Sequence, residues 1–557
     1  MKCLRYTLLI PILFSGLLHA QHRKAQLEKL MAEAGIPGLS LAYIRDGKIA
    51  ESYALGVRSA DTNQPVDDET VFAAASLSKC VFAYGVMHLV DAGKLDLDKP
   101  LYQYYPYPDL AHDERYKQVT ARMVLSHTSG LPNWRNGDRL EFQYDPGQRF
   151  RYSGEGFVLL MRTVEKITGQ NIEDWMQQTV FKPLGMTHTS YIWQSAYEED
   201  FAVPHTSTGR TSSKYRPEEG NSAHSLQTTA TDYGRFVAAL LNGQGLKKTT
   251  RTQMFTPQAH SQLKEGSDTL QWCLGVGYQL TGAGKAVWQW GDNGTFKAFL
   301  IGYPDKQEGL VYLTNSSTGL NIAADLLALF FTGPQPSIDY IDYGTTRDPG
   351  LALLKRALEM PFAEAVRPYL DKSGKMQDTV QLTAGKMNDV GYQLLYRREL
   401  DAASHAFEMN LKAYPKSRPA MIGLAESSLR MGKRETAVKY LEAAMALKPD
   451  DEFGQRVLDR LKGNPDPAPE GSVKVDFTLR SYESARFVTV AGSFNGWNDL
   501  DLPMQWVNGE WRASLNLAPG EYRYKFVVDG VWIPDPGNPE IDLKDNFNSI
   551  LSVESTK

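Results

Sequence analysis

Between residues 76 and 314, the apolar residues follow helical spacing in some segments and strand-like spacing in others. The clearest segments are three with helical spacing and three short apolar runs typical of strands: 76–92, 154–168 and 230–242, then 286–291, 297–303 and 309–314. Near the start of this block, Asp46-Gly47 separates two apolar-rich runs, which predicts a β-hairpin. The pattern therefore predicts an α/β domain, a mixed antiparallel sheet with helices, in residues 21–335.

A stretch rich in Pro, Gly and Asp at 333–350 marks a domain boundary, and the pattern after it is helical. Residues 401–415 align with residues 435–449, a period of 34 (435 minus 401). Helix pairs with this period resemble tetratricopeptide repeats, and an unrelated pair of helical hairpins is the alternative. We assign 336–380 to a linker and helix, and 381–463 to an all-α segment of tetratricopeptide-like repeats.

The pattern changes again in residues 471–557, which contain short alternating runs with many aromatic residues and glycines. This predicts an all-β sandwich of roughly 85 residues. Trp497 and Trp532 lie beside Asn-Gly and Asp-Gly turns, so we expect both indole rings to be exposed. Exposed aromatic rings at such turns suit stacking on the C–H face of a sugar ring.

The N-terminus combines Lys2 and Arg5 with an apolar run and a small residue, Ala20, suited to cleavage. We therefore predict a signal peptide in residues 1–20, a periplasmic or secreted mature protein, and no membrane span after cleavage. An uncleaved membrane anchor is the alternative, although a spanning helix needs about 20 apolar residues. Cys80 and Cys273 lie in apolar surroundings, and we expect two buried free thiols.

Charge and motif content narrow the classes of function. The chain has 557 residues, a formal net charge of −5 and a pI near 6.1, so it lacks the basic excess that grips a phosphate backbone. We expect no nucleic-acid partner. His188 and His224 have no ligand-spaced partners, and neither a His-Glu-x-x-His nor a Gly-x-Ser-x-Gly motif occurs. We therefore expect no metal and no cofactor.

Ser76 and Lys79 stand three residues apart where the first predicted helix begins. The backbone N–H of a serine at a helix N-terminus points outward, and the helix dipole favours negative charge there. A lysine one turn along can reach the serine oxygen, and burial among apolar groups makes its amine a base. An N-cap serine followed by a snorkelling lysine is the alternative, and the second Ser-x-x-Lys, Ser261 to Lys264, looks like a polar surface loop.

Further motifs follow Ser76-x-x-Lys79 in a fixed order: "VLSHTSGLPNW" (124–134), "FRYSGEGF" (150–157), "FKPLGMTHTS" (181–190), "AHSLQTTATDYGRF" (223–236), "WGDNGTFKAF" (290–299) and "YLTNSS" (312–317). From about 25 to 332, the chain resembles serine hydrolases of the class C β-lactamase, D-alanyl-D-alanine carboxypeptidase and esterase type. The resemblance implies that Ser76 is the nucleophile, that Lys79 and Tyr152 handle its proton, and that the Thr295 N–H is an oxyanion donor. Which of Lys79 and Tyr152 is the base stays open.

Two departures from that family concern the residues that would contact substrate. Gly154 stands where family members have the asparagine of Tyr-x-Asn, and Asp292-Asn293-Gly294 stands where they have Lys or His before x-Gly. A carboxylate at 292 would repel the carboxylate of β-lactams and D-alanyl peptides. We therefore expect a small ester or amide as substrate, and a catalytically silent adaptor is the alternative. His127, in the Ser-His-Thr-Ser-Gly turn, is expected to be structural.

The last domain carries "VAGSFNGW", "YRYKFVVDGVW" and "DPGNPE". These resemble the glycogen-binding module of AMP-activated kinase β subunits and the family 48 carbohydrate-binding modules. The resemblance implies that Trp497 and Trp532 stack on an α-glucan, that Lys525 binds sugar hydroxyls, and that Asn548 completes the site, with Asn546 as the neighbouring choice. A sandwich that serves only as an interdomain clamp is the alternative. The helical repeats would bind a protein partner or act as a spacer.

Overall fold

The structure is a computed structural model that describes residues 10–135, 139–207, 209–264, 266–345, 348–371, 373–377, 382–464, 468, 470–542 and 547–554. The chain divides into two compact units, Met1–Thr346 and Arg347–Lys557. The first contains the predicted α/β domain, and the second contains the helical segment and the β domain. The predicted fold class is confirmed.

The first unit is built around a seven-stranded antiparallel sheet in the order β2-β1-β9-β8-β7-β6-β5. The strands of this unit are β1 Gly38–Arg45, β2 Lys48–Gly56, β3 Phe72–Ala73, β4 Gln227–Thr228, β5 Leu270–Trp272, β6 Gly277–Thr281, β7 Gly284–Asp292, β8 Lys297–Tyr303 and β9 Glu308–Thr314. The β1–β2 hairpin turns at Asp46 and Gly47, which both have positive φ, as a two-residue turn of the predicted kind requires.

Helices cover both faces of this sheet. They are α1 Ile10–Ala34, α2 Ser78–Asp91, α3 Ala121–Leu125, α4 Gly154–Thr168, α5 Ile172–Met176, α6 Lys182–Leu184, α7 Tyr197–Asp200, α8 Ala230–Asn242, α9 Lys248–Met254, α10 Ala323–Ala328 and α11 Pro336–Ile341. Alternate residues of β1 show the two layers: Ala42 and Ile44 belong to the core with α2, α4 and α8, whereas Leu41 and Tyr43 belong to the core with α1 and α10.

The helix predicted at 76–92 begins later than expected. Residues 75–77 form a 3₁₀ turn, and α2 starts at Ser78. Cys80 and Cys273 are both buried and free, as predicted. Helix α1 continues through Ala20 without a break, and the signal peptide stays a prediction. In the described part of the chain, no helix combines the length and the apolar character needed to cross a membrane.

The second unit begins with helices and ends in two sheets. The helices are α12 Pro349–Glu359, α13 Phe362–Ala365, α14 Ala384–Tyr396, α15 Leu400–Ala413, α16 Arg418–Arg430, α17 Arg434–Leu447 and α18 Glu452–Lys462. Helix α16 starts 34 residues after α14 (418 minus 384), and α17 starts 34 residues after α15 (434 minus 400). The tetratricopeptide assignment stays a prediction.

The β domain of the second unit has a three-stranded sheet, β10-β14-β13, and a six-stranded sheet, β12-β11-β15-β18-β17 with β16 paired to β15. The strands are β10 Val473–Leu479, β11 Val488–Gly492, β12 Leu502–Pro503, β13 Gln505–Val507, β14 Glu510–Leu517, β15 Gly520–Val528, β16 Val531–Ile533, β17 Ile541–Asp542 and β18 Asn548–Val553. Both sheets contribute to one core that includes Phe477, Val490, Trp511 and Phe526.

Candidate functional site

Ser76 lies in the 3₁₀ turn that precedes α2, held between the helix and strand β7. The residue before it, Ala75, has φ of +50°, a conformation that costs a non-glycine residue energy and persists only where its surroundings enforce it. Those surroundings include Gly291 of β7, where a Cβ would lie 2.5 Å from the Ala74 carbonyl oxygen. The absence of a side chain at 291 therefore lets the strand pack directly on the turn that presents Ser76.

The Lys79 ammonium group is buried beside the Ser76 hydroxyl. Its Nζ donates to Ser76 Oγ at 3.2 Å and to the Ala223 carbonyl oxygen at 2.8 Å. It also lies 4.8 Å from the centre of the Tyr152 ring. Burial lowers the pKa of Lys79 to about 7, so much of this amine is neutral at neutral pH. A neutral amine in contact with a hydroxyl can accept its proton.

Tyr152 also lies beside Ser76, and burial shifts its pKa in the opposite direction from that of Lys79. Gln289 Nε2 donates to Tyr152 Oη at 2.8 Å. Burial raises the pKa of Tyr152, and hydrogen bonds with Ser76 and Gln289 oppose this only in part. The phenol is therefore protonated at neutral pH, while Lys79 is partly neutral. These directions favour Lys79 over Tyr152 as the proton acceptor, the choice that the sequence left open.

His127 positions the backbone next to Tyr152. Its Nδ1 accepts a hydrogen bond from the Ser153 N–H at 3.0 Å, and its ring lies 4.2 Å from the Tyr152 ring. Full burial, with a smaller contribution from Lys79, lowers the pKa of His127 well below its usual value. The imidazole therefore stays neutral near pH 7, which agrees with the structural role predicted for it.

The Asp292 carboxylate is engaged by three groups. Oδ1 accepts from the Gly294 N–H at 2.7 Å and pairs with Lys297, and Oδ2 accepts from Tyr343 Oη at 2.6 Å. Lys297 lies opposite Asp292 in the β7–β8 register and is almost fully buried. The repulsion of substrate carboxylates predicted from Asp292 alone is therefore weakened, because its charge is neutralised by Lys297.

The remaining predicted residues of this motif form a tight turn between β7 and β8. Thr295 was expected on the strand, but it lies in this turn, because the chain reverses directly after Asp292. Its N–H donates to the Asn293 carbonyl oxygen at 3.0 Å and is not free to bind an oxyanion in this conformation. The Asn293 side chain donates to the His224 carbonyl oxygen at 3.3 Å, so it links this turn to the segment that contains His224.

Gly154 is the first residue of α4, and the space beside it is filled. A Cβ at this position would lie 2.7 Å from the Asn133 carbonyl oxygen and 2.8 Å from the Trp134 ring. Trp134 is 45% exposed, and its ring lies 5.4 Å from His224, whose ring is 6.0 Å from Tyr215. The space that an asparagine side chain would need is therefore occupied by Trp134. Together with His224 and Tyr215, this ring forms an aromatic wall, and such surfaces suit apolar or aromatic ligand groups.

Four residues near the predicted site were missed by sequence reasoning: Gln289, Lys297, Trp134 and Tyr343. Gln289 and Lys297 flank the Asp292 motif, and strand alternation could have placed Gln289 on the face toward Ser76. Trp134 is the last residue of the motif at 124–134. Tyr343 had no local signal, because it lies in the predicted linker, 51 residues after Asp292.

In the β domain, Trp497 and Trp532 lie together. Their ring centres are 6.2 Å apart, and Trp532 is 40% exposed. Trp532 pairs with Val527, so Lys525, two residues away on β15, shares its face of the sheet. Asn548 is level with Lys525, because β15 and β18 are antiparallel with Tyr524 opposite Ser549.

Asn548 differs from the other three residues predicted to bind sugar. It is almost fully buried, although it lies opposite Lys525 and shares that face of the sheet. Asn546, the neighbouring choice, lies outside the described residues. The structure therefore brings together the two tryptophans on a face shared with Lys525.

A model of the β-lactamase family matches residues 24–329, more than half of the chain. The chain belongs to the β-lactamase family. Residues 475–557 match a second model, the glycogen recognition site of AMP-activated protein kinase. The recognised resemblance to both groups is confirmed. The catalytic residues, the substrate and the sugar are not fixed by these matches.

Curated relatives match the first domain. Protein flp of Staphylococcus aureus (strain MRSA252) is 22% identical over 313 residues, which cover 52% of this chain and 61% of that protein. Penicillin-binding protein 4 of Amycolatopsis lactamdurans is 32% identical over 200 residues, which cover 33% of this chain and 52% of that protein. The match therefore spans less than two thirds of each of these relatives.

Two solved structures are similar to the first part of this chain. The D-alanine carboxypeptidase AmpC from Burkholderia cenocepacia is 22% identical, with a TM-score of 0.48, over 56% of this chain and 98% of that one. A class C β-lactamase is 22% identical, with a TM-score of 0.49, over 57% of this chain and 97% of that one.

Proposed function

We propose that this protein is an exported serine hydrolase that forms an acyl-enzyme on Ser76. The contact between Lys79 Nζ and Ser76 Oγ, together with the lowered pKa of Lys79, carries this proposal. Ser76 Oγ attacks the substrate carbonyl carbon as its proton passes to neutral Lys79. The proton then goes to the leaving alcohol or amine, with the Tyr152 phenol as a donor beside it. Water then attacks the acyl carbon and gives a proton to Lys79, and that proton passes to Ser76 Oγ as the C–Oγ bond breaks and the acid leaves.

The oxyanion formed in both steps needs two donors. The Ser76 N–H, at the start of a helical turn, supplies one. Thr295 supplies the second only after its N–H leaves the Asn293 carbonyl oxygen, so the turn between β7 and β8 shifts when substrate binds. If this turn does not shift, the second oxyanion donor is missing. The observed conformation of the turn therefore favours the competing function, a catalytically silent adaptor.

The substrate is a neutral ester or amide, and β-lactams are poor substrates. Lys297 is paired with Asp292 and buried, so it does not offer a substrate carboxylate a free partner. Gly154 supplies no amide, and Trp134 occupies the space beside it. An apolar or aromatic acyl group would instead lie against Trp134.

Covalent labelling tests the acyl-enzyme directly. The mature chain is incubated with a fluorophosphonate and digested, and the labelled peptide is identified by mass spectrometry. We expect a single adduct on the peptide that contains Ser76, with no adduct after Ser76→Ala. Labelling elsewhere, or none with a folded protein, would favour the silent adaptor.

Trp134→Ala tests the aromatic wall. We expect KM for p-nitrophenyl phenylacetate to rise about five- to tenfold, because a stacking contact worth about 1 kcal/mol is lost. The value of KM for p-nitrophenyl acetate, which has no ring in its acyl group, should change less than twofold. Equal changes in KM for the two esters would show that Trp134 does not contact the acyl group.

We also propose that the C-terminal module binds an α-glucan through Trp497 and Trp532. The match to a glycogen recognition model and the adjacent, partly exposed rings support this. The helical segment would then bind a protein partner or space the hydrolase from the sugar. The signal peptide predicted from the sequence supports a periplasmic or secreted location, where such glycans and esters are accessible.

Retention in a glycogen-containing native gel tests the glucan site. Trp532→Ala should reduce the affinity about tenfold, since a stacking contact on one aromatic face contributes up to about 1.5 kcal/mol. Trp506→Ala is the matched control, because Trp506 is also 40% exposed but lies on the three-stranded sheet. Equal retention of both variants would support the clamp instead.

A further inference from the structure

A cleft in the second unit joins the helical segment to the predicted sugar-binding face. Its volume is about 270 Å³, and Tyr396 and Arg398 line it from the helical side, with Trp532 on the β side. Trp532 therefore belongs both to this cleft and to the tryptophan pair. Small-ligand sites usually have volumes of about 300–1,000 Å³, so this cleft is slightly smaller than a complete site and suits the end of a chain that also contacts the tryptophan pair.

The helical wall of the cleft presents an aromatic face. Tyr396 ends α14 and is 71% exposed, although it is a large aromatic residue. Its ring is stacked on Tyr392, with 5.8 Å between the ring centres, so one face is supported and the other is available. A supported ring loses little conformational freedom when a ligand stacks on it.

Both tryptophan loops are tied to the helical segment. Arg398 donates to the Gly530 carbonyl oxygen at 2.9 Å, two residues before Trp532. Arg430 pairs with Asp499 at 3.1 Å, two residues after Trp497. These bonds link both loops to the helical segment, which a binding surface shared by the two parts requires.

The polar groups of the cleft indicate the class of ligand. Arg430 is paired with Asp499 and with Glu426, and Asp529 lines the cleft together with Arg398 and Arg486, so the cleft carries charges of both signs. The paired groups still offer donors and acceptors at the edge of a cleft with aromatic walls. Sugar rings combine apolar C–H faces with hydroxyl edges, and they match this arrangement.

We propose that this cleft is a second saccharide subsite, in which Tyr396 stacks on glucose units that continue beyond the Trp497–Trp532 pair. The helical segment is then part of the sugar-binding site. This inference rests on the proposed glucan binding. It makes the site longer than the β domain alone provides, so long oligosaccharides gain more from it than short ones.

Isothermal titration calorimetry on the full mature chain, with maltoheptaose and maltotriose as probes, tests this proposal. Tyr396→Ala should weaken maltoheptaose binding about five- to tenfold, the effect of losing one stacking contact. Maltotriose, which the tryptophan pair accommodates, should change less than twofold. Tyr396→Phe keeps the ring face and should bind both probes as the wild type does.

Tyr414→Ala is the matched control, because Tyr414 is 39% exposed on the same helical segment but does not line the cleft. Its affinities should equal those of the wild type, and thermal melting shows whether each variant is folded. If folded Tyr396→Ala binds maltoheptaose as tightly as the wild type, the second subsite is wrong while the glucan function stands. If the wild type binds neither probe, both are wrong.

Discussion

Ser76→Ala should reduce the turnover of p-nitrophenyl acetate by the purified protein to the buffer rate, a loss of at least about 10³-fold. Removal of a serine nucleophile leaves only binding and oxyanion stabilisation, and measured losses for such residues reach about 10⁶-fold. The hydroxyl is small, and the turn around it is held by other contacts, so the melting temperature should change little. Initial rates and thermal melting of the same samples give both values.

Ser261→Ala is the matched control for this substitution, because Ser261 belongs to the other Ser-x-x-Lys of the chain. It is not the surface residue predicted from the sequence: its side chain is fully buried, and Oγ donates to the Trp272 carbonyl oxygen at 2.8 Å. Its loss should cost about 1–3 kcal/mol of stability and leave kcat unchanged. Turnover that survives Ser76→Ala, or that falls equally in both variants, would contradict the assignment of Ser76 as nucleophile.

Helices with strong local signals were predicted well. The structure has α4 at Gly154–Thr168 and α8 at Ala230–Asn242, the predicted ranges. Each helix has an N-cap side chain, Ser153 or Thr229, that accepts from a backbone N–H, and each ends at a glycine with positive φ. These boundaries depend on neighbouring residues, so the sequence contains the information directly.

The start of α2 was less accurate because its boundary depends on distant contacts. Ser78, predicted to lie inside the helix, is its first residue, and its Oγ accepts from the Leu226 N–H at 3.0 Å. Gly291 of β7 packs on the Ala74 carbonyl oxygen in the same turn. Both contacts join segments far apart in the chain, which local propensity does not encode.

The same distinction separates the parts of the candidate site. Ser76, Lys79 and Tyr152 were predicted to lie together because each belongs to a motif with fixed spacing, and the structure places them side by side. The partners of Asp292 were missed, because Tyr343 comes from the predicted linker and Lys297 from the next strand. Because the sequence does not show that Asp292 pairs with Lys297, it predicted a stronger repulsion of substrate carboxylates than the structure supports.

Lys79→Met should lower kcat for p-nitrophenyl acetate about 10²–10⁴-fold, the usual contribution of a general base. The same variant should be more stable than the wild type at pH 7 by about 1–4 kcal/mol, because an apolar side chain replaces a buried amine. Tyr152→Phe should lose less activity, since a protonated phenol contributes only as a hydrogen-bond donor. A larger loss for Tyr152→Phe than for Lys79→Met would assign the base to Tyr152.

The pH dependence of the wild type tests the same assignment without a substitution. Since burial lowers the pKa of Lys79 to about 7, kcat/KM should rise about tenfold per pH unit below pH 7 and level off above it. A Tyr152 base would place the rise at a much higher pH, because burial raises the pKa of that phenol. The stability contribution has the same sign: the folded state binds fewer protons at Lys79 than the unfolded state between pH 7 and the usual lysine pKa, so stability rises with pH across that window. An inflection near pH 7 in kcat/KM that Tyr152→Phe retains therefore identifies Lys79 as the group that must lose its proton before Ser76 attacks.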